Sequence, residues 1–398
     1  MGPLAGTRIL DLTTVMMGPS ATQALAEMGA DVIKVEAPAG DPIRQIGPGR
    51  HPEMGGLFLN ANAGKRSIVL DLKEAPGRAA LLRLAAAADV FVYNIRPQAM
   101  ARLGLSYEDV AAARPDIIYA GLFGFGQDGP YAAKPAYDDL IQGAALIPSL
   151  VARAGDGTPR YMPSAIADRV VSLAAVGAIS AALYHREKTG EGQRIDIPMF
   201  ETMVNFIAAD HLGGLTFDPP LDSGGYPRLL ARQRRPYRTS DGYVCALLYN
   251  DKQWRGFFEA IGQTERFESD PRLASMNSRN SHIAELYGEV EAVFGTRSTS
   301  RWMELLEAAD IPVMPYHDLV SIFDDPHLAA IGFFERGEHP SEGPIRRMRA
   351  ASTWSRTQPG HTRDAPRKGA DTEEILREAG YDQAEVEGLM GCRPARRA

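Results

Sequence analysis

Thr7-Arg-Ile-Leu-Asp-Leu12, an apolar segment that Gly18-Pro-Ser20 opens and Gly29 closes after Met28, and then Asp31-Val-Ile-Lys-Val-Glu36 read as strand, helix, strand. The same alternation continues outward. Ser67-Ile-Val-Leu-Asp71 is a strand that follows a Gly/Pro-rich loop, Pro76 to Ala88 a helix, and Val90-Phe-Val-Tyr93 a strand. Ser106 caps a short helix to Ala113, and Ile117-Ile-Tyr-Ala-Gly-Leu122 is the next strand. Strands recurring about every 25–30 residues with helices between them imply βαβ units and a mostly parallel sheet. Ligands in such sheets sit at the carboxyl ends of the strands, near the point where strand order reverses.

The chain has 398 residues, more than a single core usually supports, so two domains are expected. Residues 1–212 read as a large Rossmann-like α/β domain. The Gly-, Pro- and Arg-rich stretch from Gly213-Gly214 to Arg238 has linker composition, and 213–325 is read as linker plus a smaller α+β domain. In it, Tyr243-Val-Cys-Ala-Leu-Leu248 is strand-like, and Trp254–Ile261, Ile283–Phe294 and Ser300–Ala309 are helical. Residues 326–398, with a helix at Thr372–Gly380, return to the large domain, and the basic tail after Gly391 is expected to fray. A net charge of −7 argues against a general nucleic-acid binder. Two distant cysteines, Cys245 and Cys392, give no disulfide framework and fit a reducing compartment. No basic segment followed by an apolar stretch opens the chain, so a cytoplasmic protein without membrane association is expected.

Asp168, in Pro163-Ser-Ala-Ile-Ala-Asp168-Arg169, stands at the head of an uncharged run from Val170 to Tyr184. A helix of Ala, Val, Leu, Gly and Ser has no polar face and is expected to be buried; the run is short and small-residue-rich for a membrane span. A carboxylate at its mouth is partly desolvated, which raises its pKa, while the helix N-terminus favours the anion. Such a group can attack an activated acyl carbon. The plainer reading, that Asp168 only caps the helix, stands beside it. Gly124-Phe-Gly126-Gln-Asp-Gly129 follows a strand and fits G-x-G-x-x-G, but Pro130 and Pro135 prevent the helix that a dinucleotide fingerprint needs. It reads instead as a glycine loop whose amides cover a reactive acyl group. The eight histidines show no metal-ligand spacing, and no G-x-S-x-G elbow occurs. Arg228, Arg232, Arg234, Arg235 and Arg238 form a basic stretch, read either as solvated or paired at subunit contacts, or as recognising an acceptor carboxylate or a CoA phosphate.

Through nearly its whole length the chain resembles class III CoA-transferases, the family of formyl-CoA transferase, carnitine CoA-transferase and α-methylacyl-CoA racemase. The resemblance rests on ordered pieces: Pro3 to Leu12, Gly18-Pro19, Met28 to Glu36, Asn62-Ala-Gly-Lys-Arg-Ser-Ile-Val-Leu-Asp-Leu-Lys73 and Asn94-Ile-Arg-Pro97. Then come Gly124 to Pro130, Pro135-Ala-Tyr-Asp138, His185 to Gln193, and Gly332-Phe-Phe334 after Asp325-Pro-His-Leu328. It implies that Asp168 is the nucleophile, forming a mixed anhydride with the acyl group and then a thioester with CoA. It also implies a Rossmann-like large domain with a small domain, in an interlocked homodimer, acting on acyl-CoA and carboxylic acid substrates, with CoA as substrate and no permanently bound cofactor or metal. Carried over one at a time, Val15 and Met16 line the CoA site, Arg102 approaches the CoA phosphates, and Lys73, Asn94 and Ile95 lie near the pantetheine and adenine portions. Tyr137 falls beside the nucleophile.

Departures qualify the resemblance. Met16 replaces the glutamine, and Ala37 the basic residue, of formyl-CoA transferases, and the arginine-rich stretch stands where they carry a run of glycines. An oxalate/formyl pair is therefore disfavoured, and a larger or dicarboxylic acceptor is suggested. Asp371 stands where histidine is usual, with no function attached. Two alternatives remain: a 2-methylacyl-CoA racemase, which needs an acid/base pair at the α-carbon, and a non-catalytic CoA-binding protein. Tyr137, where the racemases carry histidine, favours transfer.

Overall fold

The computed structural model describes residues 2–391; the basic tail with Cys392 lies outside the described residues. The described chain divides into two compact units, one of residues 2–145, 162–205 and 327–391, the other of 146–161 and 206–326. Residues 146–161 thus group with the second unit.

The first unit is built on a six-stranded sheet: β1 (Arg8–Asp11), β2 (Asp31–Glu36), β3 (Lys65–Val69), β4 (Val90–Tyr93), β5 (Ile118–Phe123) and β6 (Gln193–Pro198). The spatial order is β3-β2-β1-β4-β5-β6, with every neighbouring pair parallel. This is the doubly wound order, and its reversal point lies between β1 and β4. Strand periodicity assigns the side chains. Leu10, Ile33, Val35, Ile68, Phe91, Tyr93 and Tyr119 enter one apolar core with the helices Ala75–Ala85, Tyr107–Ala113 and Thr372–Glu378. The Tyr107–Ala113 helix starts at a capping box between Ser106 and Asp109.

The alternate residues of β1, β2 and β3 carry charge: Asp11, Lys34, Glu36 and Lys65 are all buried on the opposite face. They are paired. Lys65 Nζ lies 3.0 Å from Asp11, and Arg44 makes two bonds to Glu36 at 2.6 and 2.7 Å while lying over the Phe58 ring. Burial alone would raise the Asp11 carboxyl; the Lys65 and Lys34 ammoniums and the Thr13 and Thr22 hydroxyls reverse this and hold it well below the usual carboxylate range.

The long apolar helix is Ile166–Thr189, extending beyond Val170–Tyr184 at both ends and stopping at Gly190, whose φ is +78°. By length and composition its 24 residues suffice to cross a membrane, contrary to the sequence expectation. Complete burial also fails within one chain. Ala167, Val171, Ala175, Ile179 and Ala182 are buried, but Leu173 is 73% and Tyr184 66% exposed. The run Val170–Tyr184 is uncharged, yet its buried residues fall on one face, packed against the helix Met17–Glu27, β5 and β6 among others. The second sequence difference is β6, whose sequence Gln-Arg-Ile-Asp-Ile-Pro carries no continuous apolar signal; it is the sheet's edge and only Ile197 is buried.

The second unit holds a three-stranded antiparallel sheet, β7 (Tyr237–Arg238), β8 (Tyr243–Ala246) and β9 (Val313–Pro315). Helices Asp251–Ala260, Ile283–Phe294 and Thr299–Ala308 pack an aromatic core of Trp254, Phe257, Phe258, Tyr287, Phe294 and Trp302. The first unit also carries a hairpin of β10 (Phe334–His339) and β11 (Gly343–Met348), ahead of the helices Thr372–Glu378 and Gln383–Gly391.

The buried pair makes a stability prediction. Lys65→Met leaves the Asp11 carboxylate buried without its nearest cation, so urea unfolding should show a loss of about 3–5 kcal/mol. A variant as stable as the wild type would mean that the pair does not hold this face together.

Candidate active site

The parallel sheet presents loops at its carboxyl edge, and the chain exits of β1 and β4 diverge there. A cavity of 390 Å³ opens at this point. Thr14, Val15, Met16 and Met17 line it from the β1 exit, Asn94 to Pro97 from the β4 exit, and Leu122 to Gly124 from β5. Pro135 to Asp138 and Asp168 complete the wall. Of the residues singled out in the sequence, Val15, Met16, Asn94, Ile95, Gly124, Tyr137 and Asp168 are therefore brought together. Lys73, in the turn after β3, and Arg102, at the end of the helix Pro97–Arg102, are exposed and do not line this cavity. Lys134 and Arg96 do line it and were given no role in the sequence reading.

Asp168 occupies the first turn of its helix, after N-cap Ala165, and makes no side-chain capping bond. The plain capping reading therefore has no hydrogen bond behind it. Its backbone N–H donates to Asp138 Oδ2 at 2.9 Å, which brings a second carboxylate beside it. Burial, then the Asp138 charge, push the Asp168 carboxyl up to about 7, against a smaller pull from Arg169. Asp138 is held in turn. The fully buried Gln142 amide donates to Asp138 Oδ1 and to Ser164 O, and accepts from Met162 N at 2.9 Å. One side chain thus fixes the helix Asp138–Ala144 against the segment that leads into Asp168. The sequence assigns no role to Asp138 or Gln142; the signal it offers for Asp138 is the Asp138-Asp139 pair at a helix start, acids placed at the positive end.

The glycine loop is only partly at the site. Gly124 lines the cavity, and a Cβ there would lie 2.2 Å from Ala136 Cβ, so the close approach requires glycine. Gly126 and Gly129 stand outside the lining. The Gly126 N–H already donates to Glu201 Oε1 at 2.8 Å, so it serves to anchor the loop to the helix Met199–His211 rather than to face an acyl group. Tyr137 lines the cavity while remaining 69% exposed. In the second unit, Arg228 lies over the Tyr226 and Tyr249 rings and Arg235 pairs with Glu291 at 2.7 Å, while Arg232, Arg234 and Arg238 are exposed. A larger cavity of 470 Å³ in the first unit is lined by Arg169, Arg347, His361 and Asp364 among others. Its Asp364 is tied to Arg347 and His361, and its Glu27, whose carboxyl is pushed up by burial, accepts from Gln23 Nε2 at 3.1 Å.

A raised carboxylate in a cavity at the reversal point of a doubly wound sheet suits attack on an activated acyl carbon. Residues 4–372 match CoA-transferase family III. The chain belongs to that family. It is 34% identical over 390 residues to a succinate–glutarate CoA-transferase of Agrobacterium fabrum, covering 94% of this chain and 95% of that one. It is 32% identical to the human succinyl-CoA:glutarate CoA-transferase, over 98% and 89% of the two chains. A CaiB/BaiF family protein from Brucella suis has a similar solved structure, with a TM-score of 0.80 at 30% identity, covering 95% of this chain and 99% of that one. The family III chain is thus a CoA-transferase, and the Agrobacterium fabrum and human relatives carry transferase names rather than the racemase name left open by the sequence.

Asp138 gives the family III site a pH signature. Asp138→Asn removes the charge that helps to raise Asp168, so the Asp168 pKa falls and its carboxylate stays ionised to lower pH. The acid limb of the kcat/KM profile for acyl-CoA should move down from about pH 7. An unmoved limb would mean that Asp138 does not set this ionisation.

Proposed function

We propose that the protein exchanges CoA between carboxylic acids through covalent intermediates on Asp168. A carboxylate oxygen of Asp168 attacks the thioester carbonyl of the donor; the C–S bond breaks, the CoA thiolate leaves, and an acyl-aspartyl anhydride forms. The thiolate attacks the aspartyl carbonyl, which expels the donor acid and leaves CoA as an enzyme thioester. The acceptor carboxylate attacks this thioester and releases CoA thiolate. The thiolate then takes the acceptor acyl group from the new anhydride and frees Asp168. No nucleotide is consumed, because one thioester replaces another of similar energy. The observation that carries this reading is the partly buried Asp168, raised to about 7 and lining the cavity at the β1/β4 reversal point. A carboxylate of that basicity is a stronger nucleophile than an ordinary one, and a substantial fraction of it is ionised at neutral pH.

In this reading Val15, Met16, Asn94 and Ile95 hold CoA, with Lys73 and Arg102 toward its distal parts. Tyr137 and Gly124 border the acyl group, with Gly126 and Gly129 shaping the loop behind Gly124. The acids are dicarboxylic, of the succinate and glutarate kind, as the names of relatives at 32–34% identity suggest. The enzyme works as an interlocked homodimer in the cytoplasm, away from membranes and nucleic acid, with no resident cofactor. Support for the dimer comes from the apolar Leu173 and Tyr184 faces left open on one chain.

Incubation with succinyl-CoA followed by hydroxylamine or borohydride should modify Asp168, and mass spectrometry of the peptide reads the site. Asp168→Asn should abolish transfer with glutarate. Folding raises this pKa, so ionising Asp168 costs stability as pH rises through about 7. The Asn variant should therefore melt no lower than wild type at pH 8. More than a few per cent residual activity, or a label on another residue, would refute Asp168 as nucleophile. Faster turnover with long-chain acyl-CoA than with succinyl-CoA would refute the dicarboxylic assignment.

The assembly has its own check. An interlocked pair cannot separate without unfolding, so sedimentation at nanomolar concentration should still find the dimer. A folded monomer there overturns it.

A further inference from the structure

The segment that leaves β1 forms one wall of the cavity, and its backbone is fastened by side chains. Asp11 Oδ1 accepts the Thr13 N–H at 2.9 Å, and Lys34 Nζ donates to the Thr13 carbonyl at 2.9 Å. The Asn94 amide meets both polar groups of Thr14, accepting from its N–H at 3.1 Å and donating to its carbonyl at 2.9 Å. Asp41 Oδ1 accepts the Val15 N–H at 3.0 Å, while its Oδ2 lies 2.8 Å from Lys34 Nζ. Both Lys34 and Asp41 side chains are fully buried, and Asp41 also accepts the Ile43 N–H.

Val15 needs this fastening. Its φ is +69°, in the left-handed region that a branched Cβ disfavours. Nothing in its own sequence neighbourhood, Thr13-Thr-Val-Met16, favours that conformation as a glycine would. Residues held so persist where the surroundings over-determine them, and here the surroundings are a buried ion pair behind the wall.

We infer that Lys34 and Asp41 are positioning residues for coenzyme A: they touch no substrate, but hold Val15 in its left-handed conformation so that the β1 exit wall is formed before CoA arrives. The inference rests on the proposed function, in which this wall takes CoA. A wall ordered in advance does not have to be ordered at the expense of binding energy. Lys34 serves twice, fixing Thr13 directly and Val15 through Asp41. An ion pair suits this task better than a neutral contact, because each charged bond is short and loses much if displaced.

The pair acts on the first half-reaction more than the second. In the proposed sequence free enzyme must capture acyl-CoA without a covalent link. The acceptor acid meets an enzyme that already carries CoA as a thioester, and there the wall has less to contribute.

Three measurements on the full-length protein test this. Hydrogen exchange on CoA-free wild type should find the amides of residues 13–15 protected as strongly as those of β1; rapid exchange that only added CoA suppresses would overturn the inference without any variant. Calorimetric titration with coenzyme A should find Asp41→Asn about tenfold weaker than wild type, the order expected for one perturbed charged hydrogen bond. Its kcat/KM for the acyl-CoA donor should fall by a similar factor, and that for the acceptor acid by less than about threefold. Adding Val15→Gly, which adopts positive φ freely, should bring CoA affinity back to within about threefold of wild type. Equal losses for donor and acceptor, no rescue by Val15→Gly, or unchanged affinity in Asp41→Asn would each overturn the positioning role. A wild type that binds no CoA at all would instead remove the functional reading beneath it. If Asp41→Asn does not fold, the exchange measurement decides.

Discussion

The charged inner face of the sheet is the constraint on which the rest depends. Alternation along β1, β2 and β3 sends one set of side chains into the apolar core and forces Asp11, Lys34, Glu36 and Lys65 together on the other side. Buried pairs of this kind contribute little to net stability compared with a well-packed apolar face, but each is costly to break singly. Their effect is therefore geometric. Lys65 also donates to Pro19 O and Asn62 Oδ1, and Asp11 accepts from Thr13 and Thr22, so the β1 exit and the first helix are fixed by the same charges. The sheet's order puts that exit opposite β4, and the divergence of the two makes the cavity.

Much of this was legible in the sequence for a plain reason. Runs such as Val90-Phe-Val-Tyr93 are buried on both sides of a parallel sheet and leave a continuous apolar signature. Ser106 before its short helix, and Gly29 after the first helix with φ +98°, are local signals whose physics needs no tertiary partner. The edge strand β6 has no such signature, because Gln193, Arg194 and Asp196 meet solvent or other charges rather than a second strand. The Asp31–Glu36 strand was recognised, but not the burial of Lys34 and Glu36, since their partners lie on other elements at separations of 5–31 residues. Charge reads as exposure until the partner is placed.

The site was legible in a similar, partial way. Asp168 stands out because a lone carboxylate heads an uncharged run. Asp138 does not, because nothing in Tyr137-Asp138-Asp139 says that one carboxylate will accept the Asp168 amide. The full burial expected of the long helix follows from the rule that an apolar surface seeks a partner, and Leu173 and Tyr184 depart from it within this chain. Lys73 and Arg102 were placed by resemblance alone, and in one chain they lie away from the cavity that holds Asp168.

One buried and one partly buried carboxylate in this chain have opposite fates, and the contrast bears on the proposal for Asp168. Asp11 is fully enclosed, yet Lys65 and Lys34 neutralise it, and four hydrogen-bond donors saturate its oxygens. Its electron pairs are committed, its ionised form is strongly favoured, and it lines no cavity that admits an acyl group. Asp168 is less enclosed, but its nearest charged neighbour is another carboxylate, and only Arg169 offsets it. Burial without compensation leaves its oxygens basic and unspent, on the wall of a cavity. The same desolvation that would destabilise a structural aspartate suits the role proposed for Asp168, and the chain keeps the cost at one position by saturating the other.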